Sequence, residues 1–194
     1  MTDHNATTKS AQTSANGKWR IFFAMIATSI VTMFVLKYSN VWSIDHVFFS
    51  QTRMWMALEM GMAMVVIMLG FMWGMYRTRT TKIAVTVGAL VLFALFLFLA
   101  RSQRTVGDEA WMKAMIPHHS IAVLTSERAQ ISDPRVRALA DRIIEAQVRE
   151  IEEMKLLLAD IEANGEQGNG AVLPARSTDL TPQMEREARQ AIQR

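Results

Sequence analysis

Between residues 111 and 119 the chain reads Trp-Met-Lys-Ala-Met-Ile-Pro-His-His. On an α-helix Met112, Met115 and His119 stand at i, i+3 and i+7 and share one face, with His118 beside it. Thioether sulfur and imidazole are the ligands Cu(I) prefers, two to four at a time, and imidazole with oxygen suits Cu(II). Further along, Gln147, Glu150 and Met154 repeat the same spacing, and Gln147 interrupts an apolar seam with a polar group. Met112, Met115, His118, His119 and Met154 suit Cu(I) and Glu150 helps Cu(II); these six are the candidate metal ligands, and spacing alone does not point to copper. Zinc fits this set poorly, because there is no cysteine and thioethers are weak zinc ligands. A ferritin-type di-iron centre needs Glu-x-x-His pairs on facing helices, and the sequence contains none. The competing reading is structural: a buried His-Gln-Glu network that fixes helix register while methionines fill the core.

Two helices must carry these groups. One is expected from about Asp108 to Ile131, kinked or restarted at Pro117, and a second follows to about Ala163. Ser132-Asp133-Pro134 supplies a cap with proline in the first turn. The second helix places Val136, Ala140, Ile143, Ile151, Met154, Leu158 and Ile161 on one seam. Counting outward from a turn centred near Ser132 sets His119 opposite Gln147, Met115 opposite Glu150 and Met112 opposite Met154. Residues 164–174 are Gly-rich and read as a loop, and Thr181-Pro182 opens a short, charged last helix. No strand signal stands out, so the fold class is all-α.

The first half is different in kind. Lys and Arg outnumber Asp and Glu by 8 to 3 over residues 1–100 and fall to 13 against 15 over 101–194. The net charge of +3 thus reflects flanks of apolar segments, and nucleic-acid binding is not expected. A polar tail, 1–18, reads as disordered and cytoplasmic. The 19–100 region holds three spans, at about 19–38, 54–76 and 82–100, each long enough to cross a bilayer. The first is read as a retained anchor, since no A-x-A-like cleavage site follows it. Lys9, Lys18 and Arg20, with Arg77, Arg79 and Lys82, flank one side, which places the N-terminus in the cytoplasm and the C-terminal domain outside. Arg101 and Arg104 oppose this weakly. Within the second span Met56, Met60, Met64, Met68 and Met72 recur every four residues, either a thioether ladder or ordinary packing. Gly70-x-x-x-Gly74 suggests a close-contact face, and Glu59 is ionisable inside the span. Asp45 and His46 lie in the loop between the first two spans, on the side expected to carry His118 and His119.

Met115-Ile116-Pro117-His118-His119, then Asp133-Pro134, Leu139-Ala140, Ile143-Ile144, Gln147, Glu150-Ile151 and Met154, resemble domain-of-unknown-function family 305 over about Asp108 to Ala163. The resemblance implies a ferritin-like helical domain, often exported, with several members associated with copper binding or tolerance. Ser120 stands where that family usually has Gln, and Thr125 where it has Met.

These readings give a disordered tail (1–18), a transmembrane region (19–100), a linker (101–107), a helical hairpin (108–163), and a loop with a short helix (164–194). The expected protein is a multi-pass inner-membrane one whose exported hairpin binds copper in metal homeostasis or tolerance, and it is not an enzyme. Membrane lipid surrounds it, a copper-handling protein would be its partner, and a homodimer or higher oligomer would complete a four-helix bundle. The alternatives are a structural or sensory membrane protein whose hairpin mediates association without metal, and a copper-dependent oxidoreductase.

Overall fold

The computed structural model describes residues 3–168 and 170–192, with side chains from Asn16 onward. Among these residues the chain is all-α, with helices α1 (Asp3–Leu36), α2 (Gln51–Phe71), α3 (Arg79–Ser102), α4 (Asp108–Arg128), α5 (Pro134–Asn164) and α6 (Pro182–Ala191). Two short 3-10 turns, Ile44–His46 and Trp73–Met75, lie between them. The chain divides into two compact units: 1–39 with 49–114, and 40–48 with 115–194.

Three helices are long and apolar enough to cross a membrane: Asn16–Leu36, Gln51–Phe71 and Arg79–Ser102. The helix α1 begins upstream of its apolar part, so residues 3–18 are helical where the sequence suggested a disordered tail. Extending an existing helix costs far less than starting one, and the apolar segment provides the start. In this first unit the core is built from Phe22, Ile26, Val65, Leu69, Tyr76 and Ala89, with the Trp19 and Tyr76 rings 4.2 Å apart between centroids and tilted by 32°. Gly61 is the closely packed glycine: a Cβ there would fall within 3.0 Å of Ile30 Cγ1 and Cδ1. Gly70 and Gly74 have nothing within 4 Å of an added Cβ, so the expected Gly70/Gly74 contact face is not used between these helices.

The methionine row of α2 does not run along one environment. Met56 and Met60 are exposed, whereas Met64, Met68 and Met72 pack against the buried cluster. A spacing of four advances 40° per step on a 3.6-residue helix, which carries the row from the outer face to the core.

Polar groups tie the helix ends. Ser50 caps α2 by accepting from Arg53 N, and its own N–H donates to Tyr38 Oη at 2.9 Å. Arg53 Nη1 donates to the Lys37 carbonyl at 2.6 Å and its guanidinium lies 4.7 Å from the Tyr38 ring centroid. Gln103, left-handed at φ 52°, ends α3 and accepts from Thr52 Oγ1 at 3.1 Å. Lys82, almost wholly buried, donates to the Trp73 carbonyl at 2.9 Å and sits 4.4 Å from the Trp73 ring centroid. That bond satisfies a carbonyl left free where α2 gives way to the turn.

From Met115 onward α4 belongs to the second unit; it continues as one helix through Pro117 with no restart and ends at Arg128 rather than at about Ile131. Asp133 caps α5 by accepting from Arg135 N, with Pro134 in the first turn, as the sequence indicates. Ile116, Pro117, Ser120 and Val123 of α4 and Ala140, Ile151 and Met154 of α5 are buried. The 40–48 segment folds with these helices.

Candidate metal centre

His119 and Glu150 are the two candidate ligands that the structure demonstrably brings together. The helical spacing turns His119 inward, and its Nδ1 lies 3.2 Å from Glu150 Oε2. Gln147, one turn earlier on α5, donates from Nε2 to Glu150 Oε2 at 3.3 Å. Glu150, not Gln147, therefore faces His119, a shift of one turn from the register count. That count assumed helices of equal rise meeting at Ser132, but five residues between Arg128 and Pro134 are not α-helical.

The His119–Glu150 contact is unusual in detail. Nδ1 of His119 is buried and makes no hydrogen bond, although Glu150 Oε2 lies 3.2 Å away. Burial lowers the His119 pKa, and His118 lowers it further, against an upward pull from Glu150. The neutral imidazole is thus favoured over the free side chain's balance, and the proton it retains is absent from one nitrogen. A cation shared between the ring nitrogen and the carboxylate would satisfy both. Two ligand atoms about 2.1 Å from a first-row metal ion and about 100° apart stand about 3.2 Å from each other. This pair has a separation compatible with a common ion.

The other candidates are placed differently. His118 is exposed, its ring centroid 6.2 Å from that of His119. Met115 is half-buried one turn before His119 on α4, and Met154 is buried one turn after Glu150 on α5. Met112 is buried too, but falls in the first unit. Among the described residues no group of three or more His, Cys, Asp or Glu side chains could hold a metal ion. The imidazole and thioether groups are of the kind Cu(I) prefers, and the single carboxylate is of the kind that suits Cu(II) beside imidazole.

Asp45 and His46 lie in the second unit but serve another purpose. Both Asp45 carboxylate oxygens are engaged, one by Ser43 Oγ and one by Lys155 Nζ. His46 Nδ1 is hydrogen-bonded to Ser120 Oγ at 2.9 Å, and the same oxygen accepts from Trp42 N at 2.7 Å. Sequence spacing gave no sign that Ser120 would receive this loop. The one available signal was its departure from the family pattern, immediately after the His pair.

Comparison with known proteins adds little about chemistry. An uncharacterized protein of Acanthamoeba polyphaga mimivirus is 29% identical over 142 residues, covering 70% of this chain and 91% of that protein. No solved structure matches the chain. Residues 99–193, which include both hairpin helices and the His119–Glu150 pair, match the family described as Domain of unknown function (DUF305).

Proposed function

We propose that this is a membrane-anchored copper-binding protein whose hairpin faces the exterior and serves metal homeostasis or tolerance. The observation that carries the reading is the buried, unbonded Nδ1 of His119 beside the Glu150 carboxylate. His119, Met115 and Glu150 would hold the ion, with Met154 and the exposed His118 as further donors. Bound Cu(I) would be stored or passed on by ligand exchange, and His118 at the surface is suited to the first or last contact. The resemblance of Met115–His119 to a family several of whose members are associated with copper supports the metal's identity. The Lys and Arg bias around the spans supports a cytoplasmic N-terminus and an exported hairpin in the inner membrane. Exposed Val136, Leu139, Val148, Leu156 and Leu157 on α5 support a second copy completing a ferritin-like four-helix bundle.

The test is competition for Cu(I) against a chromophoric chelator, using the full chain in detergent, with Zn(II) as the control. His118→Ala/His119→Ala should abolish most affinity, and Met115→Leu should weaken it at unchanged melting temperature. Equal copper affinity in wild type and the double histidine variant would dispose of the reading. The second reading, a register-fixing network without metal, is favoured by the Gln147–Glu150 bond. It requires the histidine variant to melt earlier whether or not copper is added.

A further inference from the structure

The 40–48 segment joins α1 to α2 in sequence, yet it belongs to the unit that contains the hairpin. Its contacts reach both hairpin helices. On α4, the Ser120 hydroxyl is fully buried and receives Trp42 N–H and His46 Nδ1, while the Arg128 guanidinium lies 5.5 Å from the Trp42 ring centroid. On α5, Lys155 donates to the Asp45 carboxylate. A buried hydroxyl must donate its own proton as well as accept one, and His46 Nδ1 is the acceptor within reach. The arrangement Trp42 N–H to Ser120 Oγ–H to Nδ1 of a neutral His46 satisfies the hydroxyl both as acceptor and as donor.

The two anchor points frame the candidate centre. Ser120 is the residue after His119, and Lys155 lies five residues beyond Glu150 on the same helix. We propose that the 40–48 segment is a strap that sets the separation of α4 and α5 and so positions His119 against Glu150. The 129–133 connection joins the helices at one end only, and a link running from Ser120 on α4 to Lys155 on α5 opposes their splaying. Only the copper arm of the test rests on the metal reading; the separation of the helices is measured without it.

The chain contains no cysteine, so two introduced ones can carry spin labels with no background. Thr125→Cys on α4 and Glu145→Cys on α5 replace exposed residues, and the distance between them reads the separation of the helices. Two variants break the strap from opposite sides in the full chain. Ser120→Ala removes the shared hydroxyl, and Trp42→Pro/Asp45→Lys removes the donor and reverses the ion pair without touching either helix. Ile44→Ala, at a highly exposed position of the same segment, is the control. Both strap variants should broaden and lengthen the distance distribution and lower Cu(I) affinity by about tenfold, within the range usual for coupled sites. The control should match wild type in both. An unchanged distribution in the Trp42→Pro/Asp45→Lys variant overturns the strap, even if Ser120→Ala fails to fold. A longer distance at unchanged copper affinity overturns the positioning of the centre. If wild type binds no Cu(I), the metal reading fails alone, and the distance distributions still decide whether the strap holds the helices.

Discussion

Gly61→Ala tests the packing of α1 on α2 more sharply than any change at the other glycines of the spans. An alanine Cβ would approach Ile30 Cγ1 and Cδ1 to less than 3.0 Å. Ordinary carbon contacts are about 3.5–4.0 Å, so Ile30 must retreat by about 1 Å or more. Both crowded atoms lie toward the end of a side chain, which keeps the overpacking cost to about 1–3 kcal/mol. Replacing helical glycine returns about 1 kcal/mol, so the net loss should be about 0–2 kcal/mol. Ile30→Ala alone should also destabilise, mainly through lost packing, because lipid tails are as apolar as the protein interior. The double variant is the decisive one: the new methyl occupies space that Ile30 has vacated. Its loss should fall short of the summed single losses by about 1–2 kcal/mol, a coupling of the size seen between touching residues. Unfolding of the full chain in mixed detergent micelles measures all four proteins. Additivity within about 0.5 kcal/mol would refute the contact. Gly70→Ala serves as the comparison, since nothing lies within 4 Å of its added Cβ, and it should be neutral or mildly stabilising.

Docking of the 40–48 segment should depend on pH through His46. Burial pushes its pKa below the ordinary 6.5, Lys155 adds to this, and Asp45 partly opposes it. The docked state favours neutral imidazole, so its stability is complete above about pH 6.5 and is lost as pH falls through the lowered value. Label distances recorded from pH 8 to pH 5 should lengthen on the acid side, and His46→Gln should flatten the curve. Lys82→Met should destabilise the full chain by about 1–3 kcal/mol, because the Trp73 carbonyl loses its buried donor; a melting scan in detergent checks this. Thr125→Met, which restores the residue usual in the resembling family, should leave Cu(I) affinity unchanged or raise it in the same chelator competition. A periplasm-active reporter fused after Arg194 should be active, and activity of a cytoplasm-only reporter there would reverse the assigned topology.

What could be read from sequence was what has a local period. Three apolar stretches of membrane length and two helices bounded at Asp133-Pro134 all follow from spacing within about twenty residues. That Met112, Met115 and His119 share one face of α4 also followed, because i, i+3, i+7 spacing on a continuous helix fixes it. Pairings between distant residues were not legible. Glu150 rather than Gln147 faces His119 because the geometry of the 129–133 connection is not written in the helical repeat. The four-residue spacing of Gly70 and Gly74 resembles a packing motif, whereas one glycine opposite one isoleucine, as at Gly61, has no signature in the sequence. Ser120 looked like a missing family glutamine. Its role depends on Trp42 and His46, which lie 78 and 74 residues away.

That sequence separation has a consequence for how the protein is made. The 40–48 segment leaves the ribosome well before Ser120 and, by 110 residues, before Lys155. At about 5–20 residues per second, Lys155 follows Asp45 by about 6–22 s. During that interval Trp42 N–H, His46 and the Asp45 carboxylate have no helices to receive them. The third apolar helix must also be synthesised before either hairpin helix exists. The hairpin's unit is therefore finished by a piece of chain that has been waiting since the first two apolar helices were made. An excised fragment starting at residue 101 would lack that piece altogether.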